Sequence, residues 1–388
     1  MFIYEGMKYM QVYLDNSATT RPYDEVAKTV YDTMLTTYGN PSSLHRMGKY
    51  AEDLLEEARQ TIASTVYCTP EELYFTCGGT ESDNLAIIGY AMANRRRGNK
   101  IITQPTEHKA VLESFEYLAK NGFEVCMLPV ASDGVVDMSA LEKEIDDNTI
   151  LVSIMAVNNE TGAIMPIDKI SSKIDHTKCA FHVDAVQAYG KIKLNVKKLG
   201  IDMLTISSHK IHGPNGVGAL YVKKGIRLEP RAFGGQQERT LRSGTENLAA
   251  IAGFAKAAQI KFASFDDCAD KVGSLKQRLI EGALSIEGAQ LNSPSDSVYS
   301  VVNISFKGVR SEVLLHVLES NGIYVSTGSA CNSKKDKYSY VLKAMGLSVA
   351  VIDSALRFSL SEFNTSEEID YVCSVLKKEV PILQKIMK

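Results

Sequence analysis

Short apolar runs alternate with stretches of helical spacing along most of the chain. Residues 73–76, 100–103, 123–128, 150–155, 180–183 and 203–206 each read as a strand. Between them, 82–97 and 108–121 repeat apolar residues at helical intervals. Continuous apolar strands separated by helices predict a mostly parallel sheet covered on both faces, the α/β class. After Thr245 the texture changes. An Ala-rich helix is expected over 247–262 and another over 272–284. A strand at 298–305, a helix at 311–321, a strand at 355–359 and a last helix from Ser366 follow. This predicts a large domain over 15–250 and a smaller α+β domain from 251–388, with residues 1–14 packed on the smaller one. The 44–66 helix is also expected to pack on it. No internal repeat or low-complexity segment interrupts the pattern.

Composition narrows the class further. The 388 residues are 45% hydrophobic and 23% charged, enough to bury a core without disulfide or metal staples. A net charge of −3 gives no general attraction to nucleic acid or anionic membrane. No apolar run approaches the roughly 20 residues of a spanning helix. Residues 1–11 lack a basic region followed by an apolar stretch, and Met7 and Met10 offer alternative starts. The seven cysteines include no Cys-x-x-Cys pair, which speaks against a zinc ribbon or other intrinsic metal site. Their odd number suggests reduced thiols in a cytoplasm.

Three strand ends carry candidate chemistry. Cys77-Gly-Gly-Thr-Glu-Ser-Asp-Asn84 joins a strand to a helix through two glycines. Glycine lets backbone amides approach an anion, and a helix start presents free N–H groups. Thr80 adds a hydroxyl. The segment matches neither Walker A nor G-x-G-x-x-G, and an ordinary capped βα turn would look the same. Asp184, in Phe181-His-Val-Asp-Ala-Val-Gln187, follows a second strand, where open α/β sheets place ligand contacts; a helix N-cap is the plainer reading. Lys210, in Ser207-Ser-His-Lys210, follows a third, and lysines are rarely buried without a partner. Together they suit pyridoxal phosphate, which takes a Schiff-base lysine, an acid opposite its pyridine nitrogen and a phosphate cup.

At this point the chain resembles the group I cysteine desulfurases (NifS/IscS-like) of the class V aminotransferase fold, over nearly its whole length. The resemblance rests on Val12-Tyr-Leu-Asp-Asn-Ser-Ala-Thr-Thr20, Gly39-Asn-Pro-Ser-Ser-Leu-His45, Gly78-Gly-Thr-Glu-Ser-Asp-Asn84, Ser208-His-Lys210, Arg242-Ser-Gly-Thr245 and, most diagnostic, Ser326-Thr-Gly-Ser-Ala-Cys331. It implies a type I pyridoxal-phosphate fold acting on L-cysteine to give alanine. Lys210 would carry the cofactor and move protons. His108 would stack on its ring and assist acid–base steps. Asp184 would face the pyridine nitrogen and Gln187 the phenolic oxygen. Gly79, Thr80, Ser207, Ser208 and His209 would line the phosphate cup, and Thr245 would reach the phosphate of a neighbouring subunit in a homodimer. Asn159 would touch cofactor and substrate, and Arg357 would fork onto the substrate carboxylate.

Cys331 would take the sulfur as a persulfide. The nearby Lys334, Lys335 and Lys337 favour its thiolate. The implied acceptor is an iron–sulfur scaffold protein or a thiolation enzyme, and a scaffold-borne iron–sulfur cluster would at most engage Cys331 transiently. A selenocysteine lyase or an aminotransferase shares the fold, although an aminotransferase needs no thiol there. Two positions depart from relatives: Gln236, where a third glycine is common, and Tyr340, where some carry histidine.

Overall fold

Strand β8 is the one that breaks the direction of the large sheet. The computed structural model describes residues 10–327 and 338–387. Among these, the strands are β1 (Val12–Tyr13), β2 (Leu73–Thr76), β3 (Lys100–Thr103), β4 (Glu124–Met127), β5 (Thr149–Ser153), β6 (Ala180–Asp184), β7 (Met203–Ser207), β8 (Gly218–Val222), β9 (Ala289–Leu291), β10 (Val301–Phe306), β11 (Ile323–Tyr324) and β12 (Ala355–Ser359). Seven form a sheet of order β2-β8-β7-β6-β5-β3-β4. All its pairs are parallel except those of β8, which runs antiparallel to β2 and β7. Strands β3, β5, β6, β7 and β8 are buried along their whole length, which explains why the first four read as largely apolar runs.

β8 was not expected from the sequence, and its first residue shows how tightly it is inserted. A Cβ on Gly218 would lie 2.8 Å from both the Gly78 Cα and the Ile206 carbonyl oxygen. Only glycine lets the turn after β2 pass this close to β8.

The expected 82–97 helix begins earlier, at Gly79, and runs to Asn94 with a π-helical turn at Leu85–Gly89. A second, three-stranded antiparallel sheet has the order β12-β10-β9, and β1 pairs in parallel with β11. Around it, Leu275 and Leu279 of the Phe265–Leu284 helix and Ile369 and Leu376 of the Ser366–Ile386 helix close a core of their own.

The Leu248–Ala263 helix spans the expected boundary at 250. Ile251, Phe254 and Ala257 of the Leu248–Ala263 helix belong to the core of the large sheet, so a division at 250 cuts this helix from its partners. The Arg46–Val66 helix buries Leu55, Ala58 and Ile62 in that same core. The expectation that it packs on the smaller domain is therefore corrected: its apolar stripe faces the large sheet's helical layer.

Candidate active site

The parallel strands deliver their side chains to one edge of the large sheet, and a cavity of about 250 Å3 opens there. Asp184 ends β6, Ser207 ends β7, and Lys210 lies in the single turn Ser208–Lys210 just beyond. Gly79 and Thr80 start the helix after β2, and His108 caps the Lys109–Lys120 helix after β3. All of these line the cavity, with Asn159, Gln187, His209 and Arg357. Arg357 comes from β12, so the site is a seam between the two sheets.

Lys210 Nζ donates to the Ser17 and Ala18 carbonyl oxygens, at 2.6 and 2.7 Å. Asp184 accepts the Val186 N–H at 2.8 Å. Burial raises its pKa, against the pull of His108, the Val186 N–H and Lys210. Asp83 lies close by and is pushed well up, first by burial and then by Asp184. Its Oδ1 is buried without a hydrogen-bond partner. Beneath them, burial drives His182 down to about 3, so it is neutral, and its ring bridges Ser153 at 2.8 Å and Thr205 at 3.1 Å. His108 is lowered by burial, with Asp184 opposing. Its Nδ1 accepts the Ala110 N–H at 3.1 Å, which leaves Nε2 as its other ring nitrogen. Burial, then Lys210 and Lys191, lower His209 to about 4.

Arg357 is 4% exposed. Its Nη2 pairs with Asp15 at 2.7 Å and its Nη1 donates to the Asn159 carbonyl at 3.2 Å. Its Nε and the Asn159 Oδ1 are buried without partners.

Two expected residues lie elsewhere. The fully buried Ser208 points its hydroxyl at Gly213, where a Cβ would come within 2.0 Å of it, and does not line the cavity. Thr245 is exposed in a separate hollow with Tyr38, Asn40 and Pro41. Cys331 lies outside the described residues. The sequence reading gave no role to Asp15, Ser17, Ala18 or Asp83. Their signal was present, since Asp15 to Ala18 fall inside the first motif and Asp83 inside the glycine turn, but a motif match does not say which atoms meet.

The chain matches the aminotransferase class-V family model over residues 12–372. It is 44% identical to the cysteine desulfurase IscS of Methanosarcina thermophila, over 97% of this chain and 92% of that one. A solved NifS-like protein superposes with a TM-score of 0.91 at 39% identity, covering 96% of this chain and 100% of the other. Another, SspA in complex with cysteine, gives 0.82 at 32%, over 92% and 100%. The chain belongs to the IscS/NifS-like cysteine desulfurases of the class-V aminotransferase family.

This family depends on pyridoxal phosphate, and the residues around the cavity fit that cofactor. The donor set pairs a lysine with a buried carboxylate, and a helix start stands beside them as an anion cup. Gly79 also seats that cup closely, because a Cβ there would lie 2.7 Å from Val186 Cγ2. Among the described residues no group of three His, Cys, Asp or Glu side chains could hold a metal ion, and no helix is long and apolar enough to cross a membrane.

Proposed function

We propose that this protein removes sulfur from L-cysteine, releasing alanine and passing the sulfur through a Cys331 persulfide to an acceptor protein. The observation that carries this reading is the convergence of Lys210, Asp184, His108 and Arg357 on one cavity. Bound pyridoxal phosphate supplies an electron sink for negative charge developing at the substrate Cα. Lys210 Nζ would hold it covalently and move the Cα proton. Asp184 would face the pyridine nitrogen and favour its protonated form. Gly79, Thr80, Ser207 and His209 would hold the phosphate. His108, kept neutral by burial and with Nδ1 accepting the Ala110 N–H, carries its proton at Nε2, where it can be donated in acid–base work. The Arg357 Nε, buried and unpartnered, is the fitting donor for the substrate carboxylate. The Cys331 thiolate attacks the substrate sulfur. A sulfur–sulfur bond forms, the carbon–sulfur bond breaks toward the substrate carbon, and protonation there completes alanine.

A homodimer with shared sites is part of the same reading. Thr245 does not line its own cavity, and its hollow with the adjoining Asp24–Thr36 helix exposes Tyr31, Met34, Leu35 and Tyr38, apolar area suited to a second copy. A cytoplasmic setting and an acceptor that is either an iron–sulfur scaffold or a thiolation enzyme complete the proposal, supported by the IscS-like relatives.

The test is an absorbance spectrum of the purified protein, then cysteine addition with alanine and sulfide quantified. A visible band with both products is expected. A colourless protein that pyridoxal phosphate cannot reconstitute would overturn the reading.

A further inference from the structure

Behind the cavity, Lys191 Nζ donates to Gln187 Oε1 at 2.8 Å. The rest of the residue is only half-buried, but this ammonium lies deep. Gln187 is itself 5% exposed, lines the cavity, and gives one Nε2 hydrogen to the Ser17 carbonyl at 2.9 Å. An ammonium has donors and no acceptor, so it can meet only the oxygen end of the amide. Lys191 therefore decides which way the amide points. With the oxygen held by Lys191 and one Nε2 hydrogen on Ser17, the second Nε2 hydrogen is the donor the amide has left.

The charges around Lys191 come from several elements. Lys210 follows β7, Arg357 lies on β12, Lys261 on the Leu248–Ala263 helix, and Glu362 follows β12. Glu362 is already engaged by both oxygens with Lys261 at 3.0 Å, and also by His212 at 3.3 Å and by the Tyr23 hydroxyl. The one carboxylate is thus shared among other groups. Burial, then Lys210 and Lys261, lower the Lys191 pKa to about 7, with Glu362 opposing.

We propose that Lys191 is a positioning residue: it locks the Gln187 amide with its N–H toward the cofactor's phenolic oxygen and so sets the acidity of the bound chromophore. This rests on the desulfurase reading above. An N–H donor on the phenolic oxygen withdraws it from the proton shared with the Lys210 linkage, which makes that proton easier to lose.

The test is a pH titration of the visible band in the holoenzyme. Wild type showing no band defeats the desulfurase reading itself, not this inference alone. Given a band, Lys191→Met should raise its titration midpoint by about one pH unit, a tenfold change in the proton equilibrium. Lys191→Arg, which keeps the donors, should restore it. Adding Lys191→Met to Gln187→Leu should give no further shift, because the lysine acts through the amide. An unchanged midpoint in Lys191→Met overturns the proposal. So does a shift that persists undiminished in the Gln187→Leu background.

Discussion

Replacing Arg357 by lysine preserves the charge and removes the fork, so it isolates geometry. The guanidinium has three nitrogens in this structure: Nη2 on Asp15 at 2.7 Å, Nη1 on the Asn159 carbonyl at 3.2 Å, and Nε buried without a partner. A substrate carboxylate arriving through the cavity meets Nε and the adjoining Nη. Lysine offers one compact ammonium, which the Asp15 carboxylate will claim. Two hydrogen bonds to charged groups are then lost, each worth ~1.5–3 kcal/mol. The minimum loss is about 3 kcal/mol, or roughly two powers of ten in affinity. The assay is kcat/KM for L-cysteine by alanine formation, with cofactor occupancy read from the visible band. Arg357→Lys should lower kcat/KM about 100-fold while the band stays intact. A loss under tenfold at full occupancy would refute the assignment of Arg357 to the substrate carboxylate.

Three further outcomes are expected. Cys331→Ala should abolish persulfide and sulfide release while leaving the visible band unchanged; normal turnover would remove Cys331 from the mechanism. Arg59 and Glu238 form a buried two-pronged pair at 2.7 and 2.8 Å that anchors the loop carrying Thr245. Arg59→Met strands the carboxylate and should cost ~3–5 kcal/mol in urea unfolding, whereas a loss below ~1 kcal/mol would show that water reaches the pair. Burial raises Glu160 from 4.5 to about 7, with the Ser339 hydroxyl and Arg357 opposing. Its folded pKa lies above its unfolded one, so its stability contribution is full below pH 4.5 and is lost as pH climbs to 7. Glu160→Gln should therefore gain on wild type by about 3 kcal/mol across that window; a stability difference that does not vary between pH 5 and 8 would contradict this.

Most of the large sheet's fully buried strands were legible, because a strand packed on both faces is largely apolar. β3 and β12 fall at the expected bounds, and β6 and β7 extend one residue further, onto Asp184 and Ser207. Strand β8 is equally buried, but it is five residues long, opens on Gly218 and follows the Pro214-Asn-Gly216 turn after one residue, so in sequence it reads as the tail of that turn. The Arg46–Val66 helix shows a different limit. Its stripe announces that one face is buried, yet says nothing of which partner buries it. Residues with a covalent or charged task, such as Lys210 and Asp184, stand out by type alone. Ser17 and Ala18 act through backbone carbonyls, which any residue carries, so no pattern of side chains could have marked them. Lys191 was hidden for another reason: its significance lies in one hydrogen bond to Gln187.

The stretch from Val12 to Thr20 is stitched to both sheets. Val12 and Tyr13 pair with β11, Asn16 and Ser17 bond Ser359 across 343 and 342 residues of sequence, and Thr20 bonds His209. On the ribosome, this segment is among the first to emerge and must wait for partners made near the end. Non-local contacts of this kind close late, after their loop entropy has been met. The pocket is consequently finished only when β12 has been synthesised. A nascent chain stopped before Ala355 would hold Lys210, Asp184 and the glycine turn, yet lack the strand that brings Arg357 and closes the seam. Capture of the cofactor in its final geometry is thereby deferred to the last stage of synthesis, and truncation from either end should disable the same site.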